Sequence, residues 1–335
     1  MKNIKLCGIG NAILDMQYNI SEEDFSKIGV PKSEMRLVDL DYHKRLANQI
    51  SHLTHSKSAG GSTGNTIDAF AKFGGSAALL VAVGDDDNGK FYYKELEKYN
   101  IKYKKNIIDS DLTGVSFVLI TPDGERTMLT ALSASSRFSE EHLSEELIST
   151  SEWLYLESYM LSETNTAAAL IKAVDIAKNN NTKIAISASD VFIIDTYTKQ
   201  FFHLLENSGL LFCNENEAIK TANSLNNSNI KIGDEALELI LKYFPNLNIV
   251  MTKGAKGATI KFQNNKFDVP AHQTLVLDTT GAGDAFAGAF LYGMIYLNDL
   301  TKAANLATLL SSKVISQLGA RYEGSFEDMI SLVNS

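Results

Sequence analysis

Six short apolar runs punctuate the chain without the every-other-residue polar positions of a half-solvated sheet: IKLCGIG, ALLVAVG, WLYLE, KIAISAS, LLFCN and NIVMT. Strands covered on both faces carry that pattern, so each run predicts a buried strand. Between them, residues 65–73, 88–99, 163–179 and 234–243 place apolar side chains three and four apart, the spacing of a helix with one buried stripe. Strand and helix in alternation predict an α/β fold, a mostly parallel sheet with helices on both faces. Two segments interrupt the alternation. Residues 12–39 are polar and irregular, and 114–133 read as a hairpin, GVSFVLI and RTMLTAL joined by the turn Pro122-Asp123-Gly124-Glu125. These predict a small β-rich lid, 12–39 and 111–133, on a main domain of 1–11, 40–110 and 134–335. Ligand crevices in such sheets open beyond the carboxyl ends of the strands, where a lid would close them. The tail, 299–334, reads as helical and has no linker composition, and no repeat of roughly 20–50 residues appears.

Composition narrows the function. The 335 residues are 44% hydrophobic and 21% charged, enough for a full core, and the net charge of −9 disfavours nucleic acid as a partner. Cys7 and Cys213 lie inside apolar runs with no neighbouring His or Cys, so inert buried thiols in a reducing cytoplasm are expected. The longest apolar stretch, 285–297, falls short of the roughly 18–20 residues that cross a bilayer. Asn11 and Asp15 fall where a signal-peptide core would form, so neither membrane insertion nor export is expected.

Among the motifs, two phosphate-loop lookalikes fail on chemistry. Gly84 to Phe91 has Walker spacing, but Phe91 replaces the metal-binding hydroxyl and three aspartates would face the phosphates. Gly8-Ile9-Gly10 opens a dinucleotide fingerprint whose third glycine is Ile13, which counts against a nicotinamide oxidoreductase. Asp278-Thr279-Thr280-Gly281-Ala282-Gly283-Asp284, leading into AFAGAFLYG, is different. Glycines at a helix start let amides converge on an anion, and Asp284 beside them can take a proton from a hydroxyl attacking phosphorus. An acidic residue that offsets the helix dipole would occupy the same position. Asn214 and Glu217, after LLFCN, read either as a capping box or as a pair holding water on a magnesium ion. Thr252, Gly254 and Gly257 in TKGAKG follow a strand, as a turn or as a close backbone approach to a ligand. Gly60, Gly61 and Asn65 in GGSTGN open a helix as a cap or as ligands. Asn11 and Asp15 follow the first strand, where a carboxylate can accept from vicinal hydroxyls.

GGSTGN, PDGERTM, NENE, TKGAKG and DTTGAGDAFAGAFLYG occur in the order of the ribokinase-like (PfkB) carbohydrate kinase family, which the sequence resembles over nearly its whole length. The resemblance implies ATP-dependent phosphorylation of a primary hydroxyl on a nucleoside or sugar. It implies Asp284 as base, Gly281, Ala282 and Gly283 as anion hole, and Arg126 as a lid arginine near the phosphates. Asn11, Asp15, Gly60, Gly61 and Asn65 become acceptor ligands. Asn214 and Glu217 organise Mg²⁺ through water, Thr252, Gly254 and Gly257 meet the nucleotide, and Asp278 with Gly319 resemble a loop for a monovalent cation such as K⁺. GGSTGN and the opening GIGNAILDM are closer to the adenosine-kinase-like branch. A free hexose or pentose kinase and a non-catalytic binding relative are the alternatives. Phe117, Phe138 and Tyr159 could stack a base, although core packing is the commoner fate of such aromatics. An exposed lid edge would also suit a homodimer.

Overall fold

The computed structural model describes residues 2–226 and 228–334. Its centre is a nine-stranded sheet in the order Asn265–Val269, Ala258–Phe262, Asn248–Thr252, Leu210–Asn214, Lys183–Ser187, Ser151–Glu157, Ile4–Ile9, Ala77–Leu80, Lys102–Tyr103. Every pairing from Asn248–Thr252 onward is parallel, and the first two strands are antiparallel edges. Alternation of side chains in the strands divides the core in two. Trp153 and Tyr155 join Leu6, Leu79 and Phe212 on one face, under the helices Ser62–Lys72, Ala282–Tyr292 and Leu300–Ile315. Leu154 and Leu156 join Cys7, Ile9 and Ile186 on the other, under Thr164–Asn179, Thr198–Glu206 and Gly233–Tyr243. The fold is ribokinase-like, as its motifs imply.

A second sheet of five strands lies in the order Met35–Leu37, Arg126–Ala131, Gly114–Ile120, Ile13–Asn19, His55–Ala59. The expected hairpin is present in register, Arg126 opposite Ile120. The segment 12–39, expected as an extended arm that pairs with the hairpin in a β-rich lid, supplies the strand Ile13–Asn19 paired with Gly114–Ile120, the strand Met35–Leu37 and, between them, the helix Glu22–Ile28. His55–Ala59, outside both expected lid segments, pairs antiparallel with Ile13–Asn19. Two further expectations are corrected, and one edge of the large sheet gave no sequence signal. ALLVAVG breaks after Leu80, and Val83–Gly84 pairs separately with Ile107–Ile108. The antiparallel edge at 258–269 carried no apolar run and went unrecognised. Finally, the tail is two helices, Leu300–Ile315 and Glu327–Asn334, separated by a non-helical stretch.

Both cysteines are free and buried, and burial pushes the Cys7 thiol up to about 12, so it is inert at neutral pH. Among the described residues no helix is long and apolar enough to cross a membrane. Leu154 is fully buried in the central strands. Leu154→Ala is expected to cost roughly 2–5 kcal/mol, seen as a lowered urea midpoint with unchanged slope. An unchanged midpoint would contradict the two-faced burial.

Candidate active site

Two helices start on the same crevice. Ser62–Lys72 begins at Gly61 (φ 84°) and Ala282–Tyr292 at Gly281 (φ 75°), and neither start has a side-chain cap. A Cβ at Gly61 would lie 2.1 Å from the Asn11 carbonyl oxygen, so the chain can turn there only with glycine. The helices also press together, since a Cβ at Gly288 would meet the Thr66 carbonyl oxygen at 2.4 Å. The small residues of AFAGAF thus bring two sets of unpaired first-turn amides to one place.

Carboxylates answer those amides. Asp284 Oδ1 accepts from Ser62 Oγ at 2.7 Å and its Oδ2 from Asn65 Nδ2 at 3.0 Å, bonding across to the other helix. Burial pushes its pKa up to about 6, against the pull of these two bonds and of Arg321. Bonds to a charged group are each worth roughly 1.5–3 kcal/mol, so a net rise means desolvation outweighs them. Asp15 is also pushed up to about 6 by burial, with Arg321 opposing and Asp284 adding. Glu157 is the buried hinge between strand and helix. Its Oε1 accepts from Asn11 N–H at 2.9 Å and Asn11 Nδ2 at 2.8 Å, and its Oε2 from Thr63 N–H at 2.7 Å.

Three cavities run in line through this centre. The first, about 360 Å³, lies between the sheets and is lined by Asn11, Asp15, Gly61, Ser62, Asn65, Glu157, Tyr159 and Asp284. Its lid wall carries Met35, Leu37, Met128 and Leu132 together with the hydroxyls of Ser116 and Thr130. The second, about 330 Å³, holds Asn214, Glu217, Thr252 and the turn Gly281–Asp284, and shares Ser62, Tyr159 and Asp284 with the first. The third, about 590 Å³, is lined by Thr252, Gly254, Gly257, Phe286 and Ser311, and shares Ala282 and Gly283 with the second. The turn before Asp284 therefore stands between the first cavity and the larger third one.

The expected residues mostly converge here. Gly60 packs behind Asp15, where a Cβ would fall 2.5 Å from its Oδ2. Asn214 and Glu217 do form a full capping box: Asn214 N–H and Nδ2 donate to Glu217 at 2.8 and 2.6 Å, and Glu217 N–H donates back at 2.9 Å. They line the middle cavity nonetheless, and burial pushes Glu217 up to about 7. In the anion turn, Ala282 N–H is bonded to the Thr279 carbonyl at 3.2 Å, leaving the Gly283 and Asp284 amides without an intrahelical acceptor. Phe117 stacks on His43 in the lid core and Phe138 is fully buried, so neither reaches the cavities; Tyr159 does.

Arg126, Asp278 and Gly319 form a separate knot. Arg126 pairs with Asp278, which also accepts from Thr280 N–H at 3.0 Å and Gly319 N–H at 2.8 Å. With a guanidinium against that carboxylate, these residues do not fit a bound monovalent cation. Four residues of the site were missed by sequence reasoning: Ser62, Asp68, Glu157 and Arg321. Each sits within a strand, helix or tail pattern that a purely structural role explains.

The sequence profile of the pfkB family carbohydrate kinase matches residues 35–325. The chain belongs to the PfkB family. It is a kinase, and the family uses ATP as its phosphoryl donor. This PfkB kinase is 25% identical to an adenosine kinase of Saccharomyces cerevisiae over 327 residues, covering 94% of this chain and 95% of that one. It is 26% identical to a 5-dehydro-2-deoxygluconokinase of Bacillus subtilis over 318 residues, covering 90% and 94%. Among solved structures it is similar to an adenosine kinase from Sinorhizobium meliloti, with TM-score 0.86, 27% identity and coverage of 100% and 99%. A probable sugar kinase from Rhizobium etli gives TM-score 0.86, 26% identity and coverage of 100% and 98%.

Two glycines of this crevice, Gly61 at one helix start and Gly283 inside the first turn of the other helix, tolerate a methyl group very differently. Gly61→Ala is expected to cost roughly 1–3 kcal/mol in thermal or denaturant unfolding. Gly283→Ala, whose Cβ would meet nothing within 4 Å, is expected to change stability by less than about 0.5 kcal/mol. Equal losses would contradict the close approach at Gly61.

Proposed function

We propose that this PfkB kinase transfers the γ-phosphoryl group of ATP to the primary hydroxyl of a purine nucleoside, adenosine or a close analogue. The observation that carries the substrate class is the wall of the acceptor cavity. Met35, Leu37, Met128 and Leu132 from the lid, with Tyr159 and Phe192 opposite, offer apolar and aromatic surface suited to a base. Of the polar groups that line the cavity, Asn65 is bonded to Asp284 and Asn11 and Asp15 follow the first strand, while Ser116, Thr130, Ser162 and Asp190 add further hydroxyl and carboxylate groups. A free hexose or pentose carries hydroxyls on every side and would leave that wall unmatched.

In this reading ATP lies in the third cavity with its phosphates reaching the second. The acceptor hydroxyl donates to Asp284, which removes its proton as the oxygen attacks phosphorus, and the Gly283 and Asp284 amides face the developing negative charge. The lid excludes water from the transfer, and Arg126, paired with Asp278, ties it to the loop before the turn. Among the described residues no cluster of three or more His, Cys, Asp and Glu could hold a metal. Glu217 and Asn214 therefore fit Mg²⁺ only in the manner usual for that ion, through water and the phosphates of the nucleotide. Mg²⁺ bound there would neutralise phosphate charge. A cytoplasmic location suits an ATP consumer whose two cysteines are unpaired.

Incubation with ATP and a panel of nucleosides and sugars, followed by ADP release, is expected to show turnover with adenosine. Turnover confined to free sugars would overturn the substrate class. Asp284→Asn is expected to retain adenosine and nucleotide binding and lose roughly 10²–10⁴ in kcat. An unimpaired variant would remove Asp284 as base. Because Asp284 and Asp15 are both raised to about 6, they take up protons as pH falls through that value and the base is lost. The kcat/KM profile should fall on its acid side from about pH 6, and a flat profile from pH 5 to 8 would contradict the assignment.

A further inference from the structure

The loop between the last two helices sends one side chain, Arg321, into the protein behind the acceptor cavity. Its side chain is 9% exposed, and it contacts Asp68, 4% exposed, at 3.2 Å through Nη1. Asp68 is held from the other side by Lys72 at 3.1 Å, itself 5% exposed and paired at the surface with Glu323 at 2.9 Å. The other arm of the guanidinium points toward the site, where Arg321 Nε donates to Asn65 Oδ1 at 3.0 Å. Gly64 supplies the room, since a Cβ there would lie 2.6 Å from Tyr92 Oη and 3.3 Å from Arg321 Nη2.

Resting on the reading of Asp284 as base, we infer that Arg321, anchored by Asp68, is a positioning residue that fixes the amide of Asn65 and so holds the Asp284 carboxylate in line with the acceptor hydroxyl. An Asn amide can face either way. With its oxygen taken by the guanidinium, Asn65 must present Nδ2 to Asp284 Oδ2, the 3.0 Å bond observed; the opposite orientation would set oxygen against carboxylate. Only a planar fork can serve Asp68 and Asn65 at once, which a lysine cannot. The buried cation also faces Asp15 and Asp284, and opposes the burial that raises both. Facing Asp284 from the other packed elements are Asp15, Glu157, Tyr155, Tyr159 and Glu217, none of which contributes a cation.

The test is steady-state kinetics of Arg321→Met and Arg321→Lys with ATP and the preferred acceptor, across pH 5–9, with ADP titration as a check on the separate nucleotide cavity. In Arg321→Met, kcat should fall roughly tenfold or more, the KM for ATP should be unchanged, and the acid limb should move to higher pH because a positive charge near Asp284 is gone. In Arg321→Lys the acid limb should stay in place while kcat still falls, since the charge remains and the fork is lost. If the Met variant does not fold, the Lys variant decides. Wild-type kcat in the Lys variant, or a Met variant with an unmoved acid limb, overturns the inference. Failure here with an inactive Asp284→Asn enzyme removes the positioning role alone, whereas an active Asp284→Asn enzyme removes the reading beneath it.

Discussion

Asp284 is bonded to the first turn of a helix other than its own, and that cross-link is the constraint around which the centre of the molecule is arranged. Two helix N-termini in contact would set positive ends against each other. Here one helix has Asp284 in its own first turn and the other is met by Glu157 from a strand end, and these carboxylates accept from Ser62, Asn65 and Thr63. The helices approach because small residues face each other at Gly288 and Thr66, and the strand ends deliver Asn11 and Glu157 to the same spot. Desolvation of Asp284 exceeds what its hydrogen bonds return and pushes it up to about 6, and burial raises Glu157 as well.

The lid contributes shape more than charge. Its inner face presents Met35, Leu37, Met128 and Leu132 to the cavity between the sheets, while its Arg126 guanidinium, 12% exposed, is engaged by Asp278. That pair joins the lid hairpin to the loop immediately before the anion turn. The large cavity on the far side of the turn is built by different elements, the TKGAKG turn and the helices Ala282–Tyr292 and Leu300–Ile315. The first and third cavities thus share no lining residue.

Much of this was legible in sequence because it depends on local patterns. Unbroken apolar runs marked six buried strands, and glycines before Asp284 marked a helix start with open amides. Asn11, Asp15, Asn65, Asn214 and Thr252 were identified by lying just past strands or at helix starts, and all five line the cavities. What stayed hidden depends on tertiary contact. Glu157 ends a strand of ordinary appearance, and only packing shows that it caps a helix 94 residues away. Arg321 lies 256 residues from Asn65 in a stretch that reads as helical tail. The five-stranded sheet escaped in part because Ile13–Asn19 carries Asp15 and Gln17 among its apolar residues and His55–Ala59 is mostly polar and exposed, so neither carried a buried-strand pattern. The capping box at Asn214 illustrates the converse, since the structural and functional readings occupy the same atoms.

The central claim is geometric: an acceptor hydroxyl and a γ-phosphate meet at the turn before Asp284. A crystal structure with adenosine and a non-hydrolysable ATP analogue tests it most directly. The account requires the 5′-oxygen within hydrogen-bond distance of the Asp284 carboxylate and the terminal phosphate against the Gly283 and Asp284 amides. Adenosine bound away from Asp284, or a terminal phosphate remote from that turn, would contradict it.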